Sequence, residues 1–377
     1  MAADRVILGW DLGGANIKAT RLEDGAVRDV VQWPCPLWQG LHRLDEVLAL
    51  ACRRWPDAMR AGHAVTMTGE MADLFPHRQA GVEALAQAMS RRFGARVAFF
   101  AGAAGWREQA RVSRDWAHIA SANWMASASL AAACTDQGML VDIGTTTSDL
   151  IPIVDGKVRA QGRDDAGRLA SGELVYLGAA RTPLCALARR IAFEGTEYNV
   201  MNELFATTAD VYRLTGELPA EHDPHPSADG GPKTDAATRQ RLARMIGRDA
   251  RDAAPAAWLA FAHAWRRAQL DELAVNLRRV ADGVGLPADA PLIGAGCGRF
   301  LARELAVRLA RPYRAFEALA GIAPEHAEWA QVCAPSVAVA VLRWQDREAG
   351  RGVRTREMTL RCRQAGAEPA GTEASWS

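Results

Sequence analysis

Two aspartates, each heading a loop of small residues, are the groups in this chain best placed to do chemistry. Asp11 opens "DLGGANIKATRLEDGAVR" (11–28) and Asp142 opens "DIGTTTSDLIPIVDGKVR" (142–159). Overlaid without a gap, the stretches share Asp11/Asp142, Gly13/Gly144, Asp24/Asp155, Gly25/Gly156, Val27/Val158 and Arg28/Arg159. Carboxylates suit a hard cation such as Mg²⁺, which takes oxygen ligands, often through its waters, while bridging to phosphates. Gly13, Gly14 and Gly144 let the backbone approach a ligand closely and expose its N–H groups. Asn16, Thr145, Thr146, Thr147 and Ser148 add side-chain donors, and Lys18 can add a point charge. Facing loops of this kind would clamp a polyphosphate–metal complex. One Asp-x-Gly-Gly is a common structural turn; two copies in register, each with a matching hairpin downstream, favour the clamp.

A third Gly-rich stretch, "LIGAGCGRF" (292–300), offers Gly294, Gly296 and Gly298 between an expected strand and helix, a context that accommodates phosphate or nucleotide. Asn123 falls on a helix rich in small residues and could bring its amide to a cleft; a plain polar residue at the helix N-terminus fits slightly better. Arg181, beside Thr182, could pair bidentately with phosphate or carboxylate; a plain surface arginine fits equally. His222, Asp223, His225, Asp229 and Lys233 lie in a Pro/Gly-dense loop, 216–234. Its H-x-x-H lacks the i, i+4 spacing of a helical zinc site, so a substrate-covering or merely solvated loop is the reading. The twelve tryptophans share no spacing, and packing is their default use.

The elements that must position these residues follow from pattern. "RVILGWDLGG" reads as a buried strand ending at the first loop, followed by two strands joined at "EDG", where Asp-Gly supplies the positive φ of a tight turn. Helix, strand, helix and strand come next, then the small-residue helix with Ser121 as its expected N-cap. The second copy then begins. The fold class expected is α/β: two duplicated βββ-α-β-α-β lobes, residues 1–120 and 121–349. The second carries a helical insertion at about 180–280, a cleft lies between the lobes, and 350–377 forms a tail without periodicity.

A chain of 377 residues is long enough for two cores, since single cores stop growing at roughly 250–300 residues. A net charge of +1 gives no reason to expect nucleic acid or an anionic membrane as partner. No apolar run approaches the roughly 20 residues of a membrane span. Seven scattered cysteines without C-x-x-C spacing read as reduced thiols. A cytoplasmic protein acting on small molecules is expected, with self-association left open.

These motifs resemble those of the acetate kinase–sugar kinase–Hsc70–actin superfamily over roughly residues 5–345. Asp11-Leu-Gly-Gly is similar to its first phosphate loop, Asp142-Ile-Gly-Thr-Thr-Thr to its second, and Gly294-Ala-Gly-Cys-Gly to its adenosine loop. More narrowly, "GWDLGGANIKA", "DIGTTTSDLIPI", "GELVYLGAARTP" and the stretch 197–234 resemble the hydantoinase/oxoprolinase-related branch, within it the proteins linked to tetrahydromethanopterin-dependent one-carbon transfer and methanofuran biosynthesis. The resemblance implies two ribonuclease-H-like lobes and an alkyl transfer. An aminomethylfuran-methyl diphosphate would lose diphosphate to the phenol oxygen of γ-glutamyl-tyramine, with Mg²⁺ as cofactor. Asp11, Asp142 and Lys18 would stabilise the departing charge, and Glu70 or Glu173, on expected loops, would take the phenol proton, although a carboxylate so placed is more often a solvated loop residue. Lys233 would sit near an anionic group of the substrate. The alternatives are a Mg-ATP-dependent kinase or hydantoinase-like ATPase of the same fold, and a non-catalytic nucleotide-binding regulator.

Overall fold

The computed structural model describes residues 5–350, so all but Gly350 of the expected tail lies outside the described residues. Three antiparallel strands open the chain: β1 (Val6–Leu12), β2 (Asn16–Glu23) and β3 (Ala26–Pro34). Every residue of β1 is buried, as a central strand covered on both faces requires. Asp24 and Gly25 join β2 to β3 with φ of 51° and 77°, the paired positive values of a tight hairpin turn. Helix α1 (His42–Arg54), β4 (Gly62–Met67), α2 (Arg78–Phe93), β5 (Val97–Phe100) and β6 (Trp106–Arg107) follow. The sheet runs β3-β2-β1-β4-β5-β6, with β4 parallel to β1 and β5 parallel to β4. Helix α3 (Val112–Ile119) closes this half, and α4 (Asn123–Cys134) leads out of it to pack on the second sheet.

The same build then recurs. β7 (Gln137–Ile143), β8 (Ser148–Val154) and β9 (Lys157–Val158) are again antiparallel, and their turn at Asp155 and Gly156 has φ of 54° and 66°. Next come α5 (Asp165–Ser171), β10 (Leu174–Val175), α6 (Leu184–Leu187), β11 (Arg190–Phe193), β12 (Thr196–Asn199), α7 (Thr208–Leu214), α8 (Asp235–Arg244) and α9 (Pro255–Val284). The chain returns to the sheet with β13 (Leu292–Ala295), α10 (Arg299–Arg308) and β14 (Tyr313–Ala315), then α11 (Phe316–Leu319), α12 (Pro324–Val332) and α13 (Ala334–Gly350). The second sheet runs β10-β8-β7-β13-β14 with β9 also on β8, and β13 and β14 run parallel to β7. In both sheets the strand carrying the Asp is central, with its hairpin on one side and a parallel strand next to it on the other.

Two features depart from expectation. The stretch 180–280, read as helical, contains the β11–β12 hairpin, which turns at Glu194 and Gly195 with φ of 48° and 77°. Helix α13 follows the second sheet in sequence, yet packs on β1, β2 and β4 of the first and against α4. Chain order therefore misplaces this helix when it assigns residues up to 349 to the second lobe. Gly9 in mid-β1 admits the helix: a Cβ there would lie 2.1 Å from the Ser336 carbonyl oxygen. The Thr20 and Ser336 hydroxyls hydrogen-bond beside it at 2.7 Å.

Because side chains alternate along β1, its two faces serve different cores. Leu8, Trp10 and Leu12 join Leu44, Val82 and Phe93 under α1 and α2. Ile7, with Leu22 and Ala64, joins Val337 and Ala340 of α13 in a core continuous with Leu140 and Ile293 of the second sheet. No helix among the described residues is long and apolar enough to cross a membrane.

Candidate active site

The central strands β1 and β7 deliver Asp11 and Asp142 to the carboxyl edges of their sheets, where ligands bind in open α/β folds. Both aspartates line one cavity of about 590 Å³. From the first loop Gly13, Gly14, Asn16 and Lys18 join them, from the second Gly144, Thr145, Thr146 and Thr147, and Asn123 and Arg181 also line it. The loops close in the same way. The Gly13 N–H donates to the Asn16 carbonyl at 3.0 Å, and the Gly144 N–H to the Thr147 carbonyl at 2.9 Å.

Strand register adds a residue that the motifs alone did not single out. β1 and β2 pair Asp11 with Lys18, and β7 and β8 pair Asp142 with Asp149. The overlay of the two hairpins puts Lys18 on Asp149, so one half carries a carboxylate–ammonium pair and the other two carboxylates. That correspondence was the available signal for Asp149. Arg168 of α5, buried over the Trp124 ring at 4.3 Å, donates to Asp149, and it lies 3.7 Å from Asp165.

Burial, more than mutual repulsion, sets the electrostatics of these carboxylates. Burial pushes Asp11 up to about 6, with Lys18 pulling it back and Asp149 pushing it further. Asp142 is pushed up to about 7 by burial, then by Asp149, with Lys18 opposing. Asp149 is also raised by burial, against the pull of Arg168. Burial works against the Lys18 ammonium, but the fields of Asp11 and Asp142 outweigh it and raise its pKa. Asp11 Oδ1 is buried and has no hydrogen-bond partner. An unpartnered carboxylate oxygen, on a residue that shares its cavity with Asp142 and Asp149, fits a hard divalent cation. Among the described residues no three His, Cys, Asp or Glu side chains form a chelating group. Mg²⁺ would thus be held by Asp11 and Asp142, through water, and by ligand oxygens.

The remaining candidates separate. Glu70 lies on the short turn Gly69–Met71 and is buried. Its Oε1 accepts from Ser121 Oγ at 2.7 Å and from Arg78 at 3.3 Å, while Oε2 has no partner. Burial raises its pKa, with Ser121 opposing. Ser121 lines the cavity, so Glu70 reaches it through one hydroxyl. This is the role of Ser121 in place of the expected cap, for α4 starts at Asn123 with no side-chain cap. Glu173 is not brought to the cavity. Its carboxylate accepts from the Gln161 and Gly162 N–H groups at 2.6 and 2.8 Å and from Ser171 Oγ at 2.9 Å, clasping its own chain.

Gly294, Gly296 and Gly298 are not on the cavity wall; Gly296 and Gly298 pack behind it on Ile143, and Gly294 on Tyr313. Gly296, with φ of 84°, lies where a Cβ would meet the Ile143 carbonyl oxygen at 2.1 Å and Asp142 Oδ1 at 2.6 Å. The neighbouring Cys297 and Arg299 line a separate cavity of about 450 Å³. From the loop 216–234, His225 reaches the site: the Asn16 amide donates to its Nε2 at 3.0 Å. Lys233 pairs with Asp223 at 3.1 Å, and Asp229 with Arg241 and Arg244 at 3.2 and 3.5 Å; these two anchor the loop outside the cavity wall. Arg181 donates to Thr146 Oγ1 at 3.3 Å.

Twin sheets that end in matched loops around one cleft define a protein of the actin-like ATPase fold. The chain belongs to the hydantoinase/oxoprolinase family, whose pattern matches residues 61–346. A relative from Methanocaldococcus jannaschii, (4-{4-[2-(gamma-L-glutamylamino)ethyl]phenoxymethyl}furan-2-yl)methanamine synthase, is 32% identical over 245 residues, 65% of this chain and 72% of that one. A synthase of the same name from Methanococcus vannielii is 32% identical over 148 residues, 39% of this chain and 66% of its own length. A nucleotide-free acetone carboxylase structure superposes with a TM-score of 0.53 at 12% identity, covering 89% of this chain and 70% of that one. At such identity the likeness concerns the fold alone.

Proposed function

We propose that this chain is an enzyme of methanofuran-type cofactor biosynthesis that transfers an aminomethylfuran-methyl group from its diphosphate to the phenol oxygen of γ-glutamyl-tyramine. The carbon–oxygen bond to diphosphate breaks with its electron pair going to the leaving group. The phenol oxygen forms the ether, and its proton goes to a base. The names of the two synthases support the pathway. The observation that carries the chemistry is the single cavity holding Asp11, Asp142 and both donor loops.

Bound Mg²⁺ would supply positive charge for the leaving diphosphate. The chain's own part is to cradle the phosphate oxygens with loop N–H groups and threonine hydroxyls, to set the Lys18 ammonium beside them, and to hold the acceptor in line. Glu70 is the base this geometry favours. Its raised pKa suits proton uptake, and the Ser121 hydroxyl gives it a path to the cavity. Cytoplasmic location belongs to the same reading.

The second cavity beside Cys297 and Arg299 favours the alternative of a Mg-ATP-dependent enzyme. One assay separates them: Mg²⁺-dependent diphosphate release from the furan substrate, with and without γ-glutamyl-tyramine, against an ATPase control. Diphosphate release with ether formation and no ATP is the expected result. ATP turnover without ether formation overturns it, and inactivity in both arms leaves a binding protein.

A further inference from the structure

Three large apolar side chains stand exposed on the wall of the site cavity: Trp38 at 46%, Met71 at 56% and Tyr176 at 63%. Exposed apolar surface gathered in a concave site beside a few polar groups marks a ligand surface. Trp38 and Met71 come from the first half, on short turns after β3 and β4, and Tyr176 comes from the second half, just after β10. The Trp38 turn is pinned to the first phosphate loop, since the Leu37 N–H donates to the Gly14 carbonyl at 3.0 Å. Arg181 is pinned to the second, its N–H donating to the Thr145 carbonyl at 2.8 Å. Its guanidinium lies 5.8 Å from the centre of the Trp38 ring. Each half thus brings an aromatic side chain to the mouth of the clamp, and a cation stands beside one of them.

We infer that this rim is the acceptor subsite. Trp38 and Tyr176 contact the planar aromatic ring of the acceptor, Met71 adapts to its edge, and Arg181 takes a carboxylate at the far end of the acceptor's chain. The identity of the acceptor rests on the proposed function; the class, a flat aromatic ring with an anionic tail, rests on the rim. These are specificity-determining residues, separate from Asp11, Asp142 and Glu70.

The test is calorimetric titration of γ-glutamyl-tyramine, and of tyramine lacking the glutamyl group, into protein holding Mg²⁺ and diphosphate, so that no turnover is needed. Trp38→Ala should weaken both acceptors about tenfold with diphosphate binding unchanged, and Trp38→Phe should restore most of it. Arg181→Met should erase the preference for the glutamylated acceptor. Exposed positions tolerate such changes, and a melting curve verifies it. If Trp38→Ala and Tyr176→Ala bind both acceptors as the wild type does, the subsite is wrong. If the wild type binds diphosphate but not γ-glutamyl-tyramine, the subsite falls while the clamp stands; if it binds neither, the transferase reading falls with it.

Discussion

A carboxylate held at the end of a buried strand is costly to keep ionised unless a ligand uses the charge. Asp11 near 6 and Asp142 near 7 are in that position. Asp11→Asn and Asp142→Asn keep shape and remove charge, so each should lower turnover by about 10²-fold or more while the melting temperature stays level or rises. Wild-type turnover in either variant would remove the metal role. The two glutamates should divide cleanly. Glu70→Gln should lower kcat by about 10²–10⁴ with diphosphate binding intact. Glu173→Gln should instead cost about 1–3 kcal/mol of stability, read by urea unfolding, with kcat preserved. At this scale the duplicated motif made Asp11, Asp142 and their loops legible. Asp149 was less legible because the overlay matches it to Lys18, a residue of opposite charge, and only strand register sets it opposite Asp142. Glu173 looked like a cleft carboxylate because the N–H groups that occupy it, at 161 and 162, are eleven or twelve residues away in sequence.

Among the elements, the paired Asp-Gly turns were readable because only residues tolerant of positive φ serve there. The β11–β12 hairpin was not, since its strands of four residues are too short for alternation to stand out among helices. Arg168 ties α5 to the second sheet. Arg168 is 2% exposed and bonded to buried Asp149, so Arg168→Met should leave a buried charge unpaired and cost roughly 3–5 kcal/mol. A denaturant midpoint shift well below that size would mean that Asp149 finds another partner or protonates.

Across the whole molecule, acid stability bears on a histidine far from the chemistry. His63 accepts the Trp10 indole N–H on Nδ1 and donates from Nε2 to the Ala58 carbonyl, both at 3.0 Å. A second proton would set two donors against each other. Burial, with Arg96 adding to it and the Ala58 bond opposing, lowers the pKa to about 3. Below about 6.5 the unfolded imidazole takes a proton that the folded one refuses. Stability therefore falls with pH from there towards 3, by up to ~1.4 kcal/mol per unit. In His63→Gln the loss between pH 7 and 5 should be smaller by about 2 kcal/mol, as measured by urea unfolding; an unchanged slope would refute the assignment.

Helix α13 has a consequence for how the protein is made. A nascent chain leaving the ribosome has β1, β2 and β4 in hand early, but the apolar face around Ile7 and Leu22 stays bare until Val337 and Ala340 emerge. Order of synthesis and order of completion are opposed, and the first lobe finishes last. A fragment ending at residue 120 should therefore precipitate when expressed by itself, and supplying residues 334–350 in trans should help to keep it in solution.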